Sequence, residues 1–307
     1  MGDLWEKILD LDNLTQAWEE TQKNKGMPGV DDISIERWQR NWEERIINLI
    51  SEVRSGRYKP SRMRIRRIPK RKPGEWRVLR IPTVTDRVLM RAVLQVLHEI
   101  YEPIFLDCSF GYRPGRSLKD AVQRVLDLRN QDYLWILDAD IDACFDSLDH
   151  ELLLRLLEKD VADQKVINLI AAWLEAGAVK KRASRGVPMG SPISPILTNV
   201  YLHPLDATLM QRGRKLIRYA DDFIVLEKTE ENARESYDEV YQLLLELNLK
   251  YEPSKTRISS FEQGFTYLGV HFLKSTYSYC YLEKQVEVTG DQVDILFSDY
   301  MPDYDEV

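Results

Sequence analysis

An aspartate pair between two apolar segments is the feature that most restricts how this sequence can fold. The segment KLIRYADDFIVLE at 215–227 places Asp221 and Asp222 between runs that are apolar enough to form buried strands. We therefore predict two core strands joined at or near the pair. Adjacent carboxylates repel each other, so the pair is either a hydrated surface turn or part of a charged site. The apolar flanks favour a charged site at the edge of a core.

A second apolar segment, at 133–141, also carries acidic residues. Asp138, Asp140 and Asp142 take alternate positions, which point to one side of a strand. Acidic groups that emerge from a buried strand destabilise a fold unless they are ligated or paired. Converging carboxylates are the hard oxygen ligands that Mg²⁺ prefers, and paired ions of this kind support nucleotidyl transfer. On this pattern alone, any of the three aspartates can be the ligand.

The other segments predict an α+β fold. Apolar residues recur at the spacing of amphipathic helices over residues 36–54, 86–102, 149–175, 193–211 and 230–248. The basic alternating segment at 64–81 predicts a two-stranded hairpin that turns near Pro73 and Gly74, and FTYLGVHF at 265–272 predicts a short strand. With the two acidic segments, these elements predict a helix-backed antiparallel sheet rather than a doubly wound parallel one.

The formal net charge of −7 conceals a basic segment. Residues 62–80 contain nine Lys or Arg and one Glu, whereas residues 291–307 contain six Asp or Glu and no Lys or Arg. Clustered Lys and Arg are typical of a phosphate-binding surface, although a solvated basic loop has the same composition. A nucleic-acid partner is therefore compatible with the acidic average.

Cysteine usage and hydropathy favour a cytoplasmic protein. The three cysteines, Cys108, Cys144 and Cys280, have no spacing typical of a disulfide framework or a zinc site. The sequence has neither a signal-peptide pattern nor an apolar run of about 18 residues that could cross a bilayer. We expect no membrane partner.

Ordered blocks along the chain resemble the reverse transcriptases of the group II intron type. The resemblance extends from about Lys25 to about Phe272. The blocks are KGMPGVDDISIE at 25–36, RRIPKRKPGEWRVLRIPTVTDRV at 66–88, SFGYRPGRS at 109–117, DADIDACFDSLDH at 138–150, GVPMGSPISPILTNVYLHPLD at 186–206, YADD at 219–222, and SKT followed by GFTYLGVHF. A single YADD is a weak signal, but the whole set in this order is highly specific.

The resemblance implies a right-hand polymerase fold with fingers and palm, an antiparallel palm sheet backed by helices, and a short or absent thumb. By position, residues 1–104 correspond to the fingers with an N-terminal extension. Residues 105–275 correspond to the palm, with 150–186 returning to the fingers. Residues 276–307 are expected to form a short C-terminal segment with an acidic tail.

The resemblance also assigns the catalytic residues. Asp140, Asp221 and Asp222 match the aspartates that hold two Mg²⁺ ions, for which Mn²⁺ can substitute, and the carbonyl of Ile141 matches a backbone ligand. Lys255, in the SKT block, matches a residue that would protonate the departing pyrophosphate.

Four positions match the nucleotide-binding residues of the family. Lys70 and Arg77 would hold the incoming triphosphate, as a point charge and a planar fork respectively. Phe145 matches the aromatic gate that would exclude a 2′-hydroxyl. Met189 stands where the family usually has Gln, which keeps the bulk but removes the amide hydrogen bonds. The resemblance therefore predicts altered fidelity or nucleotide choice at Met189.

Further positions match contacts to the nucleic acid. The predicted template or phosphate contacts are basic side chains of the hairpin and of the GYRPGRS block, and the predicted primer contacts lie in the YADD and GFTYLG blocks. In that order they are Arg66, Arg67, Arg113, Arg116, Tyr219 and Gly269. Gly111 and Gly115 are expected to permit close backbone approach.

The function that the resemblance implies is synthesis of DNA on an RNA template from a DNA or RNA primer, with dNTPs as substrates. Related short bacterial enzymes further suggest a role in CRISPR spacer acquisition or phage defence, with a partner protein or structured RNA supplying thumb function. The alternative is a nucleic-acid-binding subunit of a larger complex, with weak or template-independent polymerase activity.

Overall fold

The computed structural model describes residues 4–69, 74, 76–178 and 184–279, which form two compact units. Among these residues, numbers 4–104 and 145–201 form the first unit, and numbers 105–144 and 202–279 form the second. Each unit has its own secondary structure and core.

The first unit is mainly helical. Its elements are α1 Leu4–Ile8, α2 Leu11–Lys23, α3 Ile35–Gln39, α4 Trp42–Arg54, β1 Arg64–Pro69, β2 Trp76–Ile81, α5 Val84–Tyr101, α8 His150–Leu157 and α9 Gln164–Ala176. Two further helices, α7 Cys144–Ser147 and α10 Ser194–Gln211, have residues in both units. β1 and β2 pair antiparallel, which confirms the predicted hairpin, although Pro73 of its predicted turn lies outside the described residues.

Two of the predicted helices are wrong in their extent. Residues 36–54 form α3 and α4 rather than one helix, with a break at Arg40 and Asn41. Residues 149–175 form α8 and α9, and the second begins after Asp163, whose side chain accepts a hydrogen bond from the Lys165 amide. An N-cap Asp accepts a hydrogen bond from a backbone amide that a continuous helix would satisfy internally. Asp163 was therefore a signal in the sequence for a break between α8 and α9.

The helix α5 forms the centre of the first unit. Its predicted apolar stripe is confirmed, because Val88, Leu89, Ala92 and Val93 are all 0% exposed. The helix starts at the N-cap Thr83, whose hydroxyl accepts from the Asp86 amide.

Asp86, in the first turn of α5, is a buried acidic residue. Tyr58 donates its hydroxyl hydrogen to Asp86 Oδ1 at 2.5 Å, and Trp173 Nε1 donates to the Tyr58 oxygen at 3.0 Å. Thr83 also donates to Asp86, at 2.7 Å. Burial raises the pKa of Asp86, and these donors lower it. The network therefore joins α5, α9 and the segment that leads to the hairpin.

The second unit contains two antiparallel sheets. Its helices are α6 Leu118–Arg129 and α11 Glu230–Glu246, and its strands are β3 Trp135–Asp140, β4 Lys215–Tyr219, β5 Asp222–Glu227, β6 Arg257–Ser260, β7 Phe265–Tyr267, β8 Val270–Leu273 and β9 Thr276–Tyr279. The strand orders are β4-β5-β3-β6 and β7-β8-β9, with antiparallel neighbours throughout. The predicted α+β class is confirmed. FTYLGVHF, predicted as one strand, is a hairpin of β7 and β8.

The four-stranded sheet is buried on both faces over most of its length. On one face, Ile136, Ile217, Ile224 and Leu226 join a core that includes α6 and the three-stranded sheet. α11 packs against β3 and β5. Because side chains alternate along a strand, Asp138 and Asp140 share the face of Ile136, and Asp138 pairs with the core residue Ile224. Among the described residues, no helix is long and apolar enough to span a membrane.

Replacement of Tyr58 by Phe tests the buried network of the first unit. The change keeps the ring but leaves Asp86 and the Trp173 indole each without one partner. Unsatisfied buried groups of this kind cost about 1–3 kcal/mol. We expect urea denaturation to show a loss of this size. The matched change Tyr241→Phe, at a residue that is 40% exposed, should alter the free energy of unfolding by less than about 0.5 kcal/mol. Equal effects would contradict the role of the network.

Candidate active site

The register of the four-stranded sheet brings aspartates from two distant segments to one edge. Asp140, the last residue of β3, pairs with Asp222, the first residue of β5. Asp222 also pairs with Tyr219 at the end of β4. Paired residues of antiparallel strands have Cα atoms about 4.5–5.5 Å apart and point to the same face. The structure therefore brings Asp140 and Asp222 together.

The turn between β4 and β5 consists of Ala220 and Asp221. Ala220 has φ = +59°, a left-handed conformation that costs about 1–2 kcal/mol for a residue with a side chain. Its carbonyl accepts a hydrogen bond from Arg218 Nη1 at 2.8 Å. On the other side of the turn, a Cβ atom at Gly111 would lie 2.4 Å from the Ala220 nitrogen. Gly111 thus permits the GYRPGRS loop to lie close to the YADD turn.

A buried tyrosine connects this turn to the three-stranded sheet. Tyr267 on β7 is 1% exposed, and its hydroxyl donates to the carbonyls of Ile217 at 3.2 Å and Asp222 at 3.4 Å. The Tyr267 hydroxyl therefore contacts the backbone of both β4 and β5. The strained conformation of Ala220 persists because the surrounding structure holds the turn. Strained residues of this kind are common at functional sites.

The end of β3 is fixed by the segment that leads to β6. The Glu252 amide donates to the Asp140 carbonyl at 2.8 Å, and the Asp142 amide donates to the Lys250 carbonyl at 2.9 Å. Between these bonds, Ile141 is 3% exposed and forms a β-bridge with Tyr251. The backbone on either side of Ile141 is therefore held in place, which positions Asp140 at the strand end.

Two basic side chains from this same region, Lys255 and Arg257, pair with different aspartates. Lys255 Nζ lies 3.1 Å from Asp140 Oδ2, and Arg257 Nη2 lies 3.1 Å from Asp138 Oδ2. The Asp138 side chain is 15% exposed, against 41% for Asp140. Asp138 is thus a buried partner of Arg257, whereas Asp140 remains accessible. This distinction was not available from the alternating pattern of the sequence.

Asp222 has the most perturbed carboxyl of the site. The residue as a whole is exposed at the strand end, yet many protein atoms surround its carboxyl. This burial, followed by the charges of Asp138, Asp221 and Asp140, raises the pKa of Asp222 to about 7, and Lys255 opposes the rise. The negative charge of the site therefore exceeds what Lys255 and Arg257 compensate.

A divalent cation fits the chemistry of this donor set. Carboxylate oxygens are the ligands that Mg²⁺ prefers, and an added cation would offset the acidic charges that, after burial, raise the pKa of Asp222. Within the described part of the chain, however, no three His, Cys, Asp or Glu side chains stand close enough together to hold a metal ion. Metal binding would thus require the carboxylates to close in and Lys255 to leave Asp140.

The two arginines of the GYRPGRS loop differ in exposure. Arg113 is 5% exposed, and its Nη1 donates to the carbonyls of Leu106 at 2.6 Å and Ser109 at 2.8 Å. Burial on backbone carbonyls favours a structural role for Arg113 over the predicted phosphate contact. Arg116 is partly exposed and pairs with Asp107 at 2.5 Å.

The two predicted primer contacts lie at turns of the second unit. Tyr219 is partly buried at the end of β4, with its ring centroid 6.4 Å from that of Tyr112. Gly269 has φ = +75° and follows Leu268, which has φ = +49°, in the turn between β7 and β8. A two-residue hairpin loop with positive φ at both positions favours glycine.

The predicted nucleotide contacts belong to the first unit. Arg77 is exposed on β2, as are the predicted template contacts Arg66 and Arg67 on β1, whereas Lys70 lies outside the described residues. Phe145 and Met189 are each partly buried. The segments that contain Phe145 and Met189 lie close together within the first unit.

Backbone hydrogen bonds hold the segments of Phe145 and Met189, the two predicted nucleotide contacts. The Val187 amide donates to the Phe145 carbonyl at 2.7 Å, and the Arg80 amide donates to the Met189 carbonyl at 2.7 Å. Met189 is therefore tied to the base of the basic hairpin, and Phe145 to the segment that precedes Met189.

Sequence reasoning missed a buried ion pair near the turn. Arg218 and Asp206 are both 0% exposed and form a salt bridge of 2.5 Å. The available signal was an arginine within the apolar strand segment LIRYA, where a charged side chain requires a partner. Asp206, in the segment YLHPLD of α10, is that partner.

Comparisons with known proteins agree with this architecture. A sequence profile for the family described as reverse transcriptase (RNA-dependent DNA polymerase) matches residues 68–272. The group II intron-encoded protein LtrA of Lactococcus lactis subsp. cremoris is 33% identical over 236 residues, which cover 74% of this chain and 38% of LtrA. Protein YkfC of Escherichia coli K12 is 30% identical over 311 residues, covering 87% of this chain and 81% of YkfC.

Among solved structures, apo telomerase from Candida tropicalis has a similar fold. The TM-score is 0.58 at 15% identity, and the match covers 78% of this chain and 53% of the telomerase. At this identity the likeness concerns the fold alone, and it confirms the predicted polymerase fold. The chain spans little more than a third of the length of LtrA.

The raised pKa of Asp222 predicts a specific dependence of stability on pH. Folded Asp222 keeps its proton up to a pH of about 7, whereas in the unfolded chain it loses the proton near about 3.9. The folded state therefore binds more protons between these values, so stability falls as pH rises through this window. Urea denaturation in chelator should show a steeper fall for the wild type than for Asp222→Asn. The control Asp132→Asn should follow the wild type, and identical slopes for wild type and Asp222→Asn would contradict the assignment.

Proposed function

The chain belongs to the reverse transcriptase (RNA-dependent DNA polymerase) family, and on that premise we propose that it adds dNTPs to a primer on an RNA template. The observation that carries the proposal is the register that pairs Asp140 with Asp222. This pairing gathers carboxylates that are far apart in the chain at one accessible edge of the sheet. Burial and the charges of the neighbouring aspartates raise the pKa of Asp222, and a carboxyl perturbed in this way is expected at a site for divalent cations.

We propose that Asp140, Asp221 and Asp222, with the Ile141 carbonyl, hold two Mg²⁺ ions, for which Mn²⁺ can substitute. Such ions neutralise charge on the phosphates and activate the attacking hydroxyl when they are bound. Lys255 is the proposed proton donor to the departing pyrophosphate, because its ammonium lies beside Asp140. Asp138 is excluded from this set, since Arg257 already pairs with it in a more buried position.

The first unit, in this proposal, provides the fingers and the second provides the palm. Lys70 and Arg77 would bind the triphosphate of the nucleotide, and Phe145 and Met189 would form its pocket. The exposure of Arg77 on the hairpin supports this role.

The nucleic acid itself would contact exposed or turn residues. Arg66 and Arg67 on β1 are exposed cations that suit a template backbone. Arg116, which is partly exposed, is retained as a phosphate contact, whereas the buried Arg113 is not. Tyr219 and Gly269 are the proposed primer contacts.

For the biological setting, we propose CRISPR spacer acquisition or phage defence, on the basis of the resemblance to short bacterial relatives. The natural template and primer would then be supplied by that pathway, and a partner protein or a structured RNA would bind the chain. A neighbouring integrase gene, CRISPR array or structured RNA gene would each point to a different setting.

One observation favours a second candidate function. Lys255 pairs with Asp140, and no metal-binding group of three side chains is assembled among the described residues. A nucleic-acid-binding subunit with weak or template-independent polymerase activity would tolerate this arrangement. Reactions with an RNA template, a DNA template and no template separate the two functions.

Neutralisation of the aspartate pair tests the proposed site. We expect Asp221→Asn with Asp222→Asn to reduce RNA-templated primer extension by at least about a hundredfold, because electrostatic stabilisation at the phosphates is lost. The measurement is incorporation of labelled dNTP into a defined primer. The control Asp132→Asn removes an exposed charge at a position with φ = +66°, which Asn tolerates, and should leave extension unchanged. Activity that survives the double substitution would refute the site.

Replacement of Phe145 by Val tests the proposed sugar gate. The smaller side chain should admit a 2′-hydroxyl, so the ratio of ribonucleotide to deoxyribonucleotide incorporation should rise about tenfold or more. The conservative change Phe145→Tyr keeps the ring and should keep the wild-type ratio. Single-nucleotide kinetics with matched rNTP and dNTP give both ratios. An unchanged ratio in Phe145→Val would place the gate elsewhere.

A further inference from the structure

Arg218 and Asp206 form an ion pair that is fully enclosed within the second unit. Arg218 Nη2 lies 2.5 Å from Asp206 Oδ2, and Arg218 Nε lies 2.7 Å from Asp206 Oδ1. This is the parallel, two-bond geometry that orients a guanidinium most firmly. Burial of two charges is costly, and apolar residues of similar size often stabilise a fold as well or better. Stability alone therefore gives no reason for a charged pair at this place.

The remaining donors of the Arg218 guanidinium point to the aspartate turn and to the loop beside it. Nη1 donates to the Ala220 carbonyl at 2.8 Å, and Nη2 donates to Ser109 Oγ at 3.0 Å. The Ala220 carbonyl belongs to the peptide group that leads into Asp221. Because Asp206 fixes the guanidinium plane, it also fixes the position of this peptide.

The backbone of Arg218 is held as firmly as its side chain. Its amide donates to the Cys108 carbonyl at 2.7 Å, and its carbonyl accepts from the Phe110 amide at 2.8 Å. The next loop residue, Gly111, approaches the Ala220 nitrogen so closely that a Cβ atom would not fit. The turn is thus held both by the close approach of the loop and by the hydrogen bond from the guanidinium, while Ala220 keeps a left-handed conformation that non-glycine residues rarely adopt.

We propose that Arg218 is a positioning residue, oriented by Asp206, that holds the peptide of Ala220 so that the carboxylates of Asp221 and Asp222 can meet Asp140 around a divalent cation. The inference rests on the proposed function. It goes beyond that function by assigning the geometry of the cation site to a buried pair that contacts neither substrate nor metal.

Arg218→Lys is the most direct test. Lysine keeps the positive charge beside Asp206, but its single ammonium cannot reproduce the planar fork that also reaches the Ala220 carbonyl. Titration of the full chain with Mn²⁺, followed by electron paramagnetic resonance, reports cation binding without any need for polymerase activity. We expect the dissociation constant for Mn²⁺ to rise about tenfold, as for loss of one hydrogen bond to a charged group. In primer extension, kcat should fall while the KM for dNTP stays close to that of the wild type.

Ser109→Ala is the matched control. It removes another hydrogen bond of the same guanidinium but leaves the bond to Ala220 intact, so Mn²⁺ should bind with the affinity of the wild type. Equal Mn²⁺ affinity in wild type and Arg218→Lys would overturn the proposal. Equal weakening in Arg218→Lys and Ser109→Ala would also overturn it, because the effect would then come from a general loosening of the core. Failure of the wild type to bind Mn²⁺ at all would overturn it too.

A second variant keeps the test decisive if Arg218→Lys does not fold. Arg218→Met combined with Asp206→Leu replaces the buried pair by apolar side chains, a change that folds tolerate well. The proposal expects this variant to unfold at a temperature near that of the wild type and yet to bind Mn²⁺ about tenfold more weakly. Wild-type affinity in the folded double variant would overturn the positioning role and leave the proposed polymerase function standing. Wild-type protein that binds Mn²⁺, with the expected ranking of variants but without primer extension, would instead overturn the proposed function alone.

Discussion

Carboxylates that repel each other lie at the end of the four-stranded sheet, and the packing of the second unit must hold them there. Asp140 and Asp222 face each other because β3 and β5 pair in a fixed antiparallel register. A shift of one residue would exchange the side chains that β5 packs on the two buried faces of the sheet and would separate Asp222 from Asp140, so the packing of the apolar core determines the position of the charges. The burial of Ile136, Ile224 and Leu226 therefore supplies the free energy that holds two like charges together.

The same edge of the sheet shows how the fold limits that repulsion. Arg257 compensates Asp138, Lys255 compensates Asp140, and Asp222 has a raised pKa. Lys255 thus forms an ion pair with Asp140, a carboxylate that the proposed cation site requires. In the proposed site, Lys255 would pair with Asp140 when no cation is bound. The same side chain would lie beside the departing pyrophosphate during the reaction.

The sequence predicted the elements that carry the aspartates more accurately than the way they are held. Largely apolar runs sufficed to predict β3 and the strands around Asp221, and alternation of basic and apolar residues sufficed for the hairpin, since both signals are local. The breaks that separate α3 from α4 and α8 from α9 were missed because apolar periodicity continues across them. The burial of Arg113 and the pairing of Arg218 with Asp206 depend on contacts between distant segments, which no local pattern encodes. The difference in exposure between Asp138 and Asp140 likewise depends on their partners, which are Arg257 on β6 and Lys255 in the preceding turn.

Diffraction at the manganese absorption edge, from crystals of the full chain soaked with Mn²⁺, tests the central claim most directly. The account predicts anomalous density within about 2.0–2.5 Å of carboxylate oxygens of Asp140 and of the Asp221–Asp222 pair, with the Lys255 ammonium displaced from its present position 3.1 Å from Asp140. Anomalous density elsewhere, with Lys255 still bound to Asp140 at saturating Mn²⁺, would contradict the claim that this edge of the sheet is a cation site.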